Sequence, residues 1–359
     1  MASGTVTASS LNLRAEPGGA IVTALPFGAR LTIEAEDGEW LKVSQGALSG
    51  YVAARFVSRE DGPPAAVPPR DPGTIREDAQ GAYTPAGQRF VSRSAAGFVT
   101  RGKTTVRDFL ATPGAAGLAV APSGQRVLQA VLANEGCMEA VNSYDNSFMS
   151  FGMLQWTAGA DGSPGELGAL LARLKRDDAA AFDEYFGSFG LDTEAGAGAA
   201  AGATGHLSLA GSRLDSAAAK AVLRSGLWAY RFWRAGHADP MRRCQIGHGA
   251  GRIELVRRLP VAQATAADYV TSELGIALLL DQHVNRPAHV RGTLGQAVSD
   301  LLAEGASPAP AGWTTETEAR LLTLYLARRA ATSMTHSEAR AAAIRQSGLV
   351  SAARGSFQP

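Results

Sequence analysis

The segment that most limits how this chain can fold is PPAAVPP, residues 63–69, with four prolines in seven positions. Proline lacks an N–H and holds φ near its own fixed value, so this run fits neither a helix interior nor a central strand and stays extended and semi-rigid. It separates two hydrophobic periods. Before it apolar residues alternate, as in half-buried strands; well after it they recur at helical spacing. The 359 residues suffice for about two domains. With 45% hydrophobic and 19% charged residues, each has material for a core. The expected organisation is a small all-β domain at 1–60, a Pro-rich linker at 61–74 and a mainly α domain at 75–359.

In the first domain, TVTASSLNLRAEP alternates around Leu11 and Leu13 and breaks at Pro17-Gly18-Gly19. RLTIEAE carries Leu31 and Ile33 on one side and turns at Asp37-Gly38, and EWLKVSQG leads to GYVAARFV. Short strands with closely spaced Gly-rich turns predict a small barrel. The ordered set LNLRAEPG, LPFGARLTI, GEWLKV and SGYVAARFV resembles the bacterial SH3-type domain. The resemblance implies binding to cell-wall peptidoglycan, with Trp40 and Tyr51 as a ligand shelf; as strand aromatics, both also suit a half-buried place in the barrel.

Residues 74–122 have weak periodicity and frequent Gly and Thr, and are expected to be a loop-rich lead-in. Helices are predicted from Ser123, a candidate N-cap, and over roughly 165–186, 215–236, 240–258, 265–285, 292–304 and 315–345. EAGAGAAAGATGH, residues 194–206, is low-complexity and expected to be a mobile loop.

The chemistry centres on ANEGCMEAVNSYDNSFMSFGMLQW, residues 133–156. Val127, Val131 and Glu135 are spaced i, i+4, i+8, with Leu128 and Leu132 beside them, so Glu135 continues an apolar stripe. A carboxyl beside an apolar wall has a raised pKa, as a general acid near neutral pH requires. Equally, a Glu before Gly136 can leave the stripe for water. Asp145 sits among Asn and Ser in an expected polar turn. Two carboxyls in contrasting environments are what glycoside hydrolysis uses, although Asp145 as a simple turn cap fits too. Glu139, one turn beyond Glu135 if the helix continues, is a rival to Asp145 as the second carboxylate, but is expected to be a solvated charge.

Glu135-Gly136, followed by Tyr144-Asp145 and the run Ser150-Phe151-Gly152-Met153-Leu154-Gln155, is similar to the active-site region of the lysozyme-like superfamily. This resemblance implies a lysozyme-like fold for the second domain and cleavage of the β-1,4 bond between N-acetylmuramic acid and N-acetylglucosamine. It implies Glu135 as the acid and Asp145 as the residue that orients water, with Tyr144, Ser150, Gln155 and Trp156 as substrate contacts. It also implies that the Ser150–Gln155 run lines a cleft across from Glu135. A lytic transglycosylase using Glu135 alone, a chitosanase-like enzyme and a non-catalytic wall-binding or phage structural protein are the alternatives.

Other features point to structure. Asp281 and Asn285 share a helix face with Leu274 and Leu278 and read as a polar brace. Trp228 and Phe232 read as core. Cys137 and Cys244 read as buried thiols, with one long-range disulfide as the other option. Cys244 and His248, four apart, are weak as a metal pair, and no metal or cofactor is expected. A net charge of +1 does not favour a polyanion such as nucleic acid. No uninterrupted apolar run is long enough for a membrane span, and the N-terminus lacks the form of a secretory signal. Action on the cell wall, in the periplasm or outside the cell, then requires phage lysis, secretion-system delivery or another non-classical route, with a delivery partner or an immunity protein as associated partners.

Overall fold

The structure, a computed structural model, describes residues 2–6, 10–26, 29–46, 48–59, 73–94, 96–132, 136–196 and 200–359. The chain divides into two compact units, Met1–Ala66 and Val67–Pro359. Most of the Pro-rich linker lies outside the described residues.

The first unit is one antiparallel sheet of seven strands: β1 Ala2–Val6, β2 Ser10–Arg14, β3 Ile21–Pro26, β4 Arg30–Asp37, β5 Trp40–Gln45, β6 Leu48–Ala53 and β7 Val57–Arg59, in the order β3-β2-β6-β5-β4-β1-β7. The alternation decides its inside. Leu11, Leu13, Leu31, Ile33, Leu41, Val43 and Val52 form the core, and the intervening residues point outward. Asp37 pairs with Trp40 across a two-residue hairpin loop. Gly38 takes a left-handed φ of +59° there, which residues with a Cβ adopt only under strain.

The second unit opens with strands where a loop-rich lead-in was expected. β8 Arg76–Glu77, β9 Gly81–Tyr83, β10 Arg89–Ser94 and β11 Gly97–Thr100 each pair with the next. The chain then makes helices α1 Val106–Leu110 and α2 Pro122–Leu132 before returning to the same sheet as β12 Val141–Asn142, β13 Ser150–Phe151 and β14 Trp156–Thr157. The seven strands run β14 to β8 in unbroken sequence order. The expectation failed because these strands are too short to show a period, and β11 finds its partner β12 only after two intervening helices.

Helices follow: α3 Glu166–Asp177, α4 Ala179–Tyr185, then a small sheet of β15 Leu191–Thr193, β16 Leu207–Leu209 and β17 Ser212–Leu214. After α5 Ala217–Lys220 and a 3-10 turn at 221–224 come α6 Gly226–Gly236 and α7 Asp239–Arg257. A two-stranded ribbon, β18 Pro260–Val261 and β19 Ala264–Thr265, precedes α8 Ala266–Tyr269, α9 Glu273–Asn285, α10 Pro287–Ala303, α11 Thr315–Ala330 and α12 Ser337–Gln346. This makes twelve α-helices among the described residues, so the unit is mainly helical.

Four of the predicted helices are each two, divided by caps or turns the apolar pattern does not register. Asp178, Ser225 and Ser272 each accept a hydrogen bond from a backbone N–H three residues on, starting α4, α6 and α9. Ser123, the expected N-cap of α2, lies inside the helix instead. Helix α2 begins at Pro122, and the Ser123 hydroxyl donates to Glu273 Oε1 at 2.6 Å. Of the loop at 194–206, residues 197–199 lie outside the described residues, while Gly202 N–H donates to Glu166 Oε1 at 2.8 Å and Gly205 N–H to the Gly165 carbonyl at 3.0 Å. That part is bound to α3, not free.

Helix α2 buries Val127, Leu128, Val131 and Leu132 as its stripe predicted. Trp228 and Phe232 are core residues. Asp281 is the brace expected: fully buried, it pairs with the guanidinium of Arg329 and accepts from Arg340 Nε at 2.9 Å, joining α9 to α11 and α12. Asn285 donates to the Asp281 carbonyl at 2.9 Å.

Candidate functional site

Glu135 lies outside the described residues, which resume at Gly136. A Cβ placed there would lie 3.2 Å from the Gly152 carbonyl oxygen and 3.4 Å from Gln155 Nε2. The chain directly after Glu135 is therefore packed against the SFGMLQ run. That run is a hairpin: β13 and β14 pair as Ser150 with Thr157 and Phe151 with Trp156, and Gly152–Gln155 form its turn.

Two backbone features hold this turn. Gly152 has φ +77°, and a Cβ on it would meet Gln245 Oε1 at 2.4 Å. Gln155 has φ +51°, an uncommon conformation for a residue with a side chain. Its own N–H and its Nε2 both donate to the Gly152 carbonyl, at 3.0 and 2.9 Å. The Gln155 amide group therefore folds back onto its turn.

Gln245, on α7 and fully buried, joins the two walls. Its Oε1 accepts from Met153 N–H at 3.0 Å and its Nε2 donates to the Met138 carbonyl at 2.8 Å. One side chain thus sets the spacing between the segment after Glu135 and the hairpin turn. Sequence reasoning missed it, because a polar residue in an amphipathic helix carries no sign of being buried.

Asp145 sits in the polar turn expected, between β12 and β13. Asn142 Nδ2 donates to its Oδ2 at 2.9 Å and Ser147 N–H to its Oδ1 at 2.8 Å. Phe148, three residues on, has φ +60°. The loop is clamped from outside by Arg224, whose Nη1 donates to the Ser143 and Tyr144 carbonyls at 3.1 and 2.8 Å and whose Nη2 donates to the Asp145 carbonyl at 2.7 Å. Tyr144 is exposed, with 38% of its surface open. Ser150 and Trp156, expected as substrate contacts, are instead buried; Trp156 packs its ring against His248 at 5.5 Å. Trp156 lies on the face of its partner Phe151 and Ser150 on the opposite face, so the hairpin is covered on both sides.

Glu139 overturns the expectation of a solvated charge. Only 2% exposed, its Oε1 accepts from Lys103 N–H at 2.5 Å and Thr104 N–H at 2.9 Å. Its Oε2 is buried without a hydrogen-bond partner. Cys137 N–H and Met138 N–H add bonds to the Arg101 and Thr104 carbonyls, at 3.1 and 2.9 Å. Residues 137–139 are thus fastened to the β11–α1 connection. His237, close enough to feel the Glu139 charge, is held below its ordinary pKa by burial, which outweighs that carboxylate's pull.

Cys137 and Cys244 are both free thiols, and no disulfide joins them. Burial, reinforced by the charges of Glu139 and Asp108, pushes the Cys137 thiol up to about 12, and burial does the same to Cys244. Neither is a thiolate near neutral pH, so neither suits nucleophilic work. His248 Nε2 lies 3.1 Å from Glu166 Oε1 and not on Cys244; no cluster of three or more His, Cys, Asp or Glu side chains among the described residues is placed to hold a metal ion.

In the first unit Trp40 pairs with Ala53 and Lys42 with Tyr51 across β5 and β6. Trp40 and Tyr51 are therefore on one face, opposite the core face of Leu41 and Val52, and both are half-buried. No helix among the described residues is long and apolar enough to cross a membrane. No curated protein and no solved structure matches the chain. Residues 9–58 match the family model of the bacterial SH3 domain, so the chain carries that domain ahead of its mainly helical unit.

Proposed function

We propose that the protein is a peptidoglycan-degrading glycosidase with a lysozyme-like catalytic unit, held on the wall by its SH3 domain. Glu135 protonates the leaving oxygen of the bond between N-acetylmuramic acid and N-acetylglucosamine, and Asp145 orients water or supports the positive charge that develops on the sugar. The observation that carries this reading is the packing of Gly136, next to Glu135, against the turn at Gly152–Gln155. That turn and the Asp145 loop each hold a non-glycine residue at positive φ, a strain concentrated at functional sites. The SH3 domain fits wall association, which raises the local concentration of an insoluble substrate. Action in the periplasm or outside the cell is part of the same proposal.

A second reading, a lytic transglycosylase, draws on Asp145 itself. Both of its oxygens already accept hydrogen bonds from within the loop, which suits a positioning role more than a nucleophile and leaves Glu135 to act alone. Digestion of purified peptidoglycan and mass spectrometry of the products decides. Reducing ends support hydrolysis and anhydro-muramic ends support the transglycosylase. Glu135→Gln is expected to lower the rate at least about 100-fold with binding to the wall retained, as loss of a general acid does; an unchanged rate would remove Glu135 from the mechanism.

A further inference from the structure

We propose that Arg224, 79 residues from Asp145 in sequence, is the positioning residue of the candidate site: its guanidinium sets where the Tyr144 ring and the Asp145 carboxylate stand. The inference rests on the glycosidase reading. Three consecutive carbonyls, those of Ser143, Tyr144 and Asp145, converge on this one guanidinium at 3.1, 2.8 and 2.7 Å. Convergent carbonyls repel each other unless a cation or donors lie between them, and a planar fork of N–H groups supplies both. The same guanidinium lies 4.6 Å from the centre of the Phe148 ring, the residue held at φ +60°. Both ends of the Asp145 loop thus rest on one side chain.

Arg224 is itself held. It ends the 3-10 turn at 221–224, and the next residue, Ser225, caps α6 by accepting from Trp228 N–H at 3.3 Å. Gly226 N–H donates to Glu77 Oε1 at 2.9 Å, and a Cβ at Gly226 would lie 2.6 Å from that same oxygen. The base of Arg224 is thereby tied to β8. A loop with few regular hydrogen bonds of its own takes its shape from the α6 cap and the sheet, through one half-buried cation. The carboxylate within it is then oriented by the bonds from Asn142 and Ser147, which persist only while the backbone keeps this course.

The test uses the full chain with Arg224→Met, which keeps the stem and removes the fork, and Arg224→Lys, which restores the charge without the fork. Amide hydrogen exchange across residues 143–148, melting temperature, and kcat and KM on soluble glycan strands are measured together. In Arg224→Met, exchange in that segment is expected to rise about tenfold or more while the melting temperature stays within a few degrees. Turnover is expected to fall about 10- to 100-fold in kcat with KM within about threefold, the pattern of a displaced catalytic group. Arg224→Lys is expected to recover part of both. Unchanged exchange in Arg224→Met overturns the proposal whatever the protein does. So does full kcat with a loosened loop, or a loss confined to KM, which would make Arg224 a substrate contact. The reading beneath it fails separately: a wild type that releases no glycan product, or an active Glu135→Gln, removes the enzyme or the acid before any Arg224 variant is considered.

Discussion

Glu139 shows how much a single residue's surroundings decide. Four positions after Glu135, it lies beyond the end of α2, so the stripe does not place it, yet the fold buries it and engages its Oε1 with two backbone N–H groups. Removing it in Glu139→Ala strands the N–H groups of Lys103 and Thr104 inside the protein. The expected cost is about 2–4 kcal/mol, since donors to a charged acceptor are left unpaired; urea unfolding measures it, and a loss under about 1 kcal/mol would mean water replaces the carboxylate. Asp145 is the opposite case. Its Asn and Ser neighbours announced a polar turn, and the turn is there, because Asx turns are made from side chains adjacent in sequence. Glu135 was legible as a stripe position and through the resemblance of its segment, and residues 133–135 lie outside those described.

At the scale of elements, helices announce themselves and their partners do not. The stripe of α2 is buried as predicted, while Gln245 on α7, which unites the Met138 segment with the Gly152–Gln155 turn, left no trace in the pattern. Replacing it in Gln245→Met keeps volume but leaves the Met138 carbonyl and the Met153 N–H without partners. Stability is expected to fall by about 2–4 kcal/mol, near the cost of two buried unsatisfied groups. Amide exchange at Met153 should rise more than at the centre of α7; equal protection would show that the hairpin turn holds itself. The meander of β8–β14 makes the same point. Its strands were invisible because they are two to six residues long, and β12 to β14 join β8 to β11 only by pairing across the α1–α2 insertion.

At the scale of the whole chain there are two units with separate cores, so unfolding should be two transitions, each with its own determinants. Asp281 tests this. It is fully buried against Arg329, which is fully buried too, and it also holds Arg340. Asp281→Asn leaves a buried guanidinium uncompensated, with an expected loss of about 3–5 kcal/mol confined to the helical unit. Scanning calorimetry should show that transition moving down by several degrees while that of the SH3 domain stays; a shift of both would show that the two units unfold as one.

By itself the sequence determined what depends on neighbours along the chain. The alternation of Leu31, Ile33, Leu41 and Val43 selected a barrel-type sheet and its inner face, and the SH3 motifs fell within residues 9–58. Helical spacing located the mainly α unit, and Asn142, Ser143, Asp145 and Ser147 made a polar turn. Asp281 apart, whose helix face already marked it as a brace, tertiary structure alone decided which polar residues are inside. Glu139, Gln245, Asp281 and Ser123 are buried because a partner 35 to 150 residues away satisfies them: Glu139 by Lys103 and Thr104, Gln245 by Met138 and Met153, Asp281 by Arg329 and Arg340, Ser123 by Glu273. The reason is physical. An apolar residue is driven inward by its own surface, whereas a polar one can be buried only where the fold brings it a partner.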